Sequence, residues 1–345
     1  MSKTAVDLFS GCGGMTYGLR QAGFHVLAAL EVDPVAAATY RLNHRGIRLK
    51  EVDIRTVGAR AWMKELNLRP GDLDLLAGCP PCQGFSRLRT MNGSRSNRDS
   101  RNRLLMEMAR LIQGFQPNAV LMENVPALGD KPVFGEFIRF LRREGYVVAW
   151  DILDASKFGV PQRRRRLVLV AGHGGPLSFG MESTGPRTVR TAIGGLKPAG
   201  ASGDPLHDMP EKRTQLMKAW IAAVPKDGGS RRDLDEKMQR PCHRRLDGFK
   251  DVYGRMAWDK VAPTITGGCF NPSKGRFLHP EENRNITLRE AALLQSLPKS
   301  FRLPHGTTKT AGALMIGNAL PPEFVRRHAA AILRALERDG VKERT

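Results

Sequence analysis

The tightest constraint on this chain is an alternation that runs from residue 4 to residue 172. Short apolar runs recur at residues 5–9, 26–30, 73–77, 119–122, 147–153 and 167–171. Helix-like stretches lie between several of them, at 15–22, 34–42, 103–115 and 133–143. Strand and helix in turn mean a mostly parallel sheet, buried under helices on both faces. Parallel strands point their C-terminal ends at one edge, and open α/β folds do their chemistry there.

Two of the runs end in reactive side chains. Residues 73–77 lead into Gly78-Cys79-Pro80-Pro81-Cys82-Gln83-Gly84-Phe85-Ser86, and residues 119–122 lead into Glu123-Asn124-Val125. A shared edge would bring a thiol and a carboxylate together, a nucleophile and an acid. Cys79 and Cys82 form a C-x-x-C pair, but zinc wants a second pair or two histidines at ligand spacing, and Cys242-His243 does not supply them. A thioredoxin-like pair would be followed by a helix, whereas an arginine-rich loop follows here. Five cysteines are too few, and odd in number, for a disulfide framework. No metal is expected.

Charge points to the partner. Lys and Arg number 55 against 34 Asp and Glu, a net +21, which favours a polyanion. The excess is clustered. Arg87, Arg89, Arg95, Arg98, Arg101 and Arg103 face one acid, Asp99, and Arg163 to Arg166 form an unbroken run. Arginine presents a planar fork suited to phosphates and base edges. No apolar run approaches the roughly 18 residues of a membrane span. Met1-Ser2-Lys3-Thr4 leads straight into the first strand-like run, so no signal peptide and a cytoplasmic location are expected.

A length of 345 residues allows one large domain and a smaller one. From about 174 to 275 the chain is rich in Gly, Pro and charge, with few periodic apolar segments, and reads as a smaller irregular domain or an insertion. Helical periodicity returns at 287–297, where Thr287 and Glu290 are spaced as a capping box. A last helix is expected from Pro321-Pro322 to about residue 338.

The first strand runs into Asp7-Leu8-Phe9-Ser10-Gly11-Cys12-Gly13-Gly14-Met15. Glycines at a helix N-terminus let backbone approach a ligand closely. The spacing is not G-x-G-x-x-G, so a dinucleotide is not indicated. Glu31, at the second strand end, stands where an acid binds ribose hydroxyls. Asp53, at the next, could accept from an adenine amino group. Together they suggest an adenosine-bearing ligand without a pyrophosphate.

These motifs together resemble the DNA (cytosine-5) methyltransferases. The stretch from Asp7 to Gly14 is similar to the family's S-adenosylmethionine loop, Pro81-Cys82-Gln83 to its catalytic motif and Glu123-Asn124-Val125 to its acid motif. Gln162 to Arg166 fits Q-x-R-x-R, and Arg289-Glu290-Ala291-Ala292 and Gly317-Asn318-Ala319-Leu320-Pro321-Pro322 match two late motifs in the expected order. The family usually has Val where Leu320 stands.

The resemblance implies a Rossmann-like class I methyltransferase sheet with helices on both faces, plus a smaller target recognition domain. The catalytic domain would be discontinuous, 1–175 and 276–345, with recognition at 176–275 and the final helix packed back beside the first strand. S-adenosylmethionine would be the cofactor, lined by Phe9, Gly11, Gly13, Glu31, Asp53, Leu104 and Asn318. Cys82 thiolate would add to cytosine C6, which makes C5 nucleophilic toward the methyl group. Glu123 would hold or protonate N3, help worth roughly 10²–10⁴-fold. Arg166 would bind the cytosine O2, and Arg164 would steady the catalytic loop and Cys82. No residue identifies itself as the base that removes the C5 proton; water is an option. Cys79 is expected to be a small packing residue.

The target carbon lies inside a stacked duplex, so the base must be flipped out. Double-stranded DNA is the expected partner. Gln83, Ser86 and Arg87, in the loop after the nucleophile, and Arg231, Arg232, Arg244 and Arg245, in the middle segment, are the expected contacts. A monomer is expected, with any cognate restriction endonuclease acting separately. A zinc deaminase is disfavoured, because the H-x-E at His279-Pro280-Glu281 lies far downstream of the cysteines. An RNA-directed relative would usually carry Cys-Phe-Thr where this chain has Cys269-Phe270-Asn271. Binding without catalysis would require neither Cys82, Glu123 nor Arg166.

Overall fold

A computed structural model describes residues 2–81, 103–238 and 251–342. Seven strands form one sheet: β1 (Thr4–Leu8), β2 (His25–Leu30), β3 (Arg48–Lys50), β4 (Leu75–Gly78), β5 (Ala119–Asn124), β6 (Tyr146–Asp154) and β7 (Arg165–His173). Their order is β3-β2-β1-β4-β5-β7-β6. The first five run parallel, and β7 is antiparallel to both β5 and β6. Every residue of β4 and β5 is buried, as expected of central strands covered on both faces.

Strand order reverses between β1 and β4. Chains leave an open sheet in opposite directions at such a point and leave a crevice beyond the strand ends. The loop after β1, Glu31 after β2, Cys79 after β4 and Glu123 near the end of β5 therefore share one edge. Because β7 is antiparallel, its first residues, Arg165 and Arg166, stand at that edge too.

The helices follow their amphipathic spacing: α1 (Gly14–Ala22), α2 (Pro34–Asn43), α3 (Ala59–Leu66), α4 (Leu104–Phe115) and α5 (Pro132–Arg143). Asp33 caps α2, its side chain accepting from Ala36 N, and Pro34 sits in the first turn. In α4, Leu105, Met108, Ala109, Leu111, Ile112 and Phe115 are buried, and they join Trp62, Phe134 and Phe137 in the main core.

Packing divides the chain into two compact units. The sheet-bearing unit comprises residues 1–158, 165–182 and 320–345, and the second comprises 159–164 and 183–319. The chain thus returns to the sheet-bearing unit at Leu320, whereas the expected catalytic segment resumed at residue 276. The second unit carries α6 (Val189–Ile193), α7 (Gln215–Ala223), α8 (Leu288–Leu294) and α9 (Lys309–Asn318). Thr287 caps α8 in the expected capping box with Glu290.

The final helix, α10 (Pro322–Lys342), belongs to the sheet-bearing unit and packs on α1, the helix that follows β1. A Cβ at Gly14 would stand 2.3 Å from the Leu320 carbonyl oxygen, and one at Gly18 2.4 Å from Val325 Cβ. Small residues are needed there. Among the described residues no helix is long and apolar enough to cross a membrane.

Candidate active site

The loop after β1 is strained where a ligand would meet it. Phe9 has φ 57 and Gly11 φ 55, a region that bulky side chains rarely enter. Phe9 and Leu104 both pack, half-buried, on the main core. Gly13 is the N-cap of α1 with φ 94 and no side-chain cap. A Cβ on Gly13 would fall 2.0 Å from His44 Nε2. His44 is buried against Tyr17 and Tyr40, with ring centroids 4.2 and 4.6 Å away. Burial pushes its pKa down to about 4, so the wedge under the loop is a neutral ring.

Glu31 is fixed by backbone. Its Oε2 accepts from Gly11 N at 2.7 Å, and its Oε1 accepts from Val32 N at 2.9 Å and Asp33 N at 2.8 Å. Four lone-pair sites minus three hydrogen bonds leave one for a hydroxyl donor. An added Cβ at Gly11 would meet no heavy atom within 4 Å. An open backbone face beside a pinned carboxylate with one acceptor left fits the ribose end of S-adenosylmethionine. Asp53 is committed locally. It caps a short turn through Arg55 N at 2.9 Å and takes a fork from the Arg55 side chain. That pairing holds its carboxyl down at about 2.

The second cluster lies where β4, β5 and β7 meet the edge. Glu123 is 8 % exposed. Arg166 Nε lies 2.8 Å from Glu123 Oε1, yet that oxygen has no aligned hydrogen bond among the described residues. The contact is therefore a close charge pair rather than a hydrogen bond. Arg166 Nη1 instead donates to the Arg165 carbonyl at 2.7 Å. Asn124 Nδ2 donates to the Pro80 carbonyl at 2.9 Å, fixing the segment that leads to Cys82. Cys82 itself, with Gln83, Ser86, Arg87, Arg244 and Arg245, lies outside the described residues.

Arg164 and Asn318 belong to the second unit. Arg164 is 4 % exposed and donates to the Ile265 carbonyl at 3.2 Å and the Gly317 carbonyl at 3.1 Å. Gln162 is fully buried, accepts from Ile265 N at 2.8 Å and donates to Gln295 Oε1 at 2.8 Å. The Q-x-R-x-R run thus splits its work: Gln162 and Arg164 tie loops of one unit together, while Arg166 meets Glu123 in the other. Asn318, the last residue of α9, is exposed. Arg231 is buried and Arg232 exposed, in a short turn capped by Ser230.

Sequence reasoning passed over two residues at the edge. Val32, between Glu31 and Asp33, is 58 % exposed, an apolar surface beside the pinned carboxylate; its position after a strand-end acid was the available signal. Cys79 reads as packing in the sequence, but strand register sets it beside Glu123, and the charges of Glu123, Asp7 and Arg166 act on its thiol. Only strand register reveals that.

The sequence matches the family model described as C-5 cytosine-specific DNA methylase over residues 3–334. The Type II methylase M.HgiDII of Herpetosiphon aurantiacus is 39% identical over 360 aligned positions, covering 100% of this chain and 98% of that protein. The Type II methyltransferase M1.HphI of Haemophilus parahaemolyticus is 34% identical, covering 97% of this chain and 87% of its own. A crystal structure described as a putative DNA modification methyltransferase encoded within a prophage (E. coli) shares the fold, with a TM-score of 0.72 at 24% identity over 97% of this chain and 100% of that one.

Proposed function

The chain belongs to the C-5 cytosine-specific DNA methylase family and is a DNA cytosine-5 methyltransferase, and from that premise we propose that it methylates a flipped-out cytosine in a specific short duplex sequence through a Cys82 adduct at C6. The observation that supports this most directly is the buried Glu123 carboxylate, 2.8 Å from Arg166, beside the Cys79-Pro80-Pro81 segment that delivers Cys82.

S-adenosylmethionine, when bound, supplies a methyl group activated on a sulfonium, with S-adenosylhomocysteine as the product that leaves. Glu31 would take a ribose hydroxyl on its remaining lone pair, and the backbone of Gly11 and Gly13 would lie against the ligand. Phe9, Val32 and Leu104 would give apolar contact to it. Asp53 would accept from the adenine amino group on releasing the Arg55 fork that holds it.

Cys82 would add as thiolate to C6 of the cytosine. Glu123 would hold or protonate N3, so that negative charge does not accumulate on the ring as that bond forms. Arg166 would reach O2 while balancing Glu123. When the C5 proton is removed, the thiolate leaves and the ring is restored.

Residues 176–275 would read the sequence, through Arg232, Arg244 and Arg245 with Arg231 supporting the turn, and Gln83, Ser86 and Arg87 would follow the flipped base. Each good bidentate contact contributes roughly 1–3 kcal/mol of discrimination. The protein would act as a cytoplasmic monomer on nucleoid DNA, as the modification half of a restriction-modification pair or as an orphan methylase.

Cys82→Ala tests the reading. Methyl transfer is expected to vanish while S-adenosylmethionine still binds, and full activity would refute the covalent route. Bisulfite sequencing of DNA from cells expressing the protein identifies the methylated cytosine and its context.

A further inference from the structure

A carboxylate that must meet a substrate ring has to be held in one orientation. Arg166 supplies charge to Glu123 but no aligned hydrogen bond to its Oε1. The other neighbour is set by strand register. In the parallel pair β4–β5, Gly78 lies opposite Met122, which brings the next residues, Cys79 and Glu123, side by side. Cys79 N donates to the Leu8 carbonyl at 3.3 Å, and the Asn124 amide holds Pro80. The backbone on both sides of the Cys79 thiol is therefore fixed.

The thiol is thereby set within interaction range of the Glu123 carboxylate, which favours its protonated form. Burial first, and then the carboxylates of Glu123 and Asp7, push it well above the usual thiol range, with Arg166 opposing. Cys79 therefore keeps its proton and is a donor, the opposite of what a nucleophile needs.

We propose that Cys79 is a positioning residue for methyl transfer, donating its S–H to the Glu123 carboxylate and holding it in the orientation that meets the base. The inference rests on the reading of Glu123 as the group that faces N3.

The test compares Cys79→Ala, Cys79→Ser and Glu123→Gln in full-length enzyme, with radiolabelled S-adenosylmethionine and unmethylated genomic DNA. Cys79→Ala is expected to lower kcat about tenfold with both KM values unchanged, as loss of one hydrogen bond to a charged group predicts. Cys79→Ser, which restores a donor, is expected to recover most of it. A wild-type kcat in the Ala variant, or a Ser variant as slow as the Ala variant, overturns the proposal.

Should the Ala variant not fold, the infrared S–H stretch of the wild-type protein decides. A band that moves to higher frequency in Glu123→Gln supports the donor role, and an unmoved band overturns it. A fully active Glu123→Gln would instead overturn the reading of Glu123 itself. An impaired Glu123→Gln beside an unimpaired Cys79→Ala removes only the role of Cys79.

Discussion

Asp7→Asn exchanges a buried carboxyl for a neutral amide of nearly the same shape. Asp7 is fully inaccessible. Its Oδ2 accepts from the Thr16 hydroxyl at 2.6 Å, and that hydroxyl also meets Tyr40 Oη at 2.9 Å. Oδ1 has no hydrogen-bond partner among the described residues. Burial outweighs the Thr16 hydrogen bonds and raises the carboxyl from 3.8 to about 7. Across that window the folded protein keeps a proton that the unfolded chain has lost. The native state binds more protons, so stability falls as pH rises from 3.8 toward 7.

Between pH 5 and pH 8 this linkage amounts to about 2–3 kcal/mol, at ~1.4 kcal/mol per unit of displaced titration. Asparagine does not titrate, and its amide oxygen can still accept from Thr16. Urea unfolding of both proteins at pH 5 and pH 8, followed by far-UV circular dichroism, reads the difference. The variant should gain on the wild type by that amount at the higher pH. Parallel pH profiles would show that the Asp7 carboxyl is not held protonated by burial.

Other outcomes follow from single contacts. Gly13→Ala must place a Cβ 2.0 Å from the His44 ring at φ 94, so it should lower thermal stability by more than ~2 kcal/mol and abolish S-adenosylmethionine binding by calorimetry. His328 is buried among Phe158, Phe179 and Phe324, accepts from Gly180 N at 2.9 Å and is lowered to about 4 by burial. A histidine held neutral adds stability that is complete above its unfolded value of 6.5 and is lost as pH falls toward 4. His328→Asn should therefore flatten that acid limb in denaturation measured from pH 7 to pH 4. Arg255, fully buried, donates to the carbonyls of Ile221, Val224, His279 and Glu282. Arg255→Met should destabilise residues 183–319 by at least ~3 kcal/mol, seen as faster hydrogen exchange there. Arg255→Lys should not rescue it, because an ammonium cannot reproduce the fork.

The parts of this fold that were legible in the sequence are those built from periodicity. β4 and β5 are continuous buried runs, and Thr287 announces its helix by chemistry at a fixed spacing. β3 was legible only through the acid that follows it, Asp53, because Arg48-Leu49-Lys50 is short and mostly charged and owes its place to β2. The reversed direction of β7 was not legible, since local pattern carries no orientation. The second unit is organised by Arg255, Gln162 and Arg164 on backbone carbonyls, and such interactions leave no apolar signature. At the site, Glu31 and Glu123 were readable because each ends a strand. The commitment of Asp53 to Arg55 and the neighbourhood of Cys79 depend on side-chain geometry and on register.

The close seating of α10 on α1 also sets an order of events during synthesis. The Gly14 and Gly18 face of α1 leaves the ribosome some three hundred residues ahead of the Pro322–Lys342 helix that covers it. For most of translation the loop beside Gly13 rests on a helix whose outer face is bare. The β1–α1 end of the sheet-bearing unit is therefore completed only once that last helix has been made.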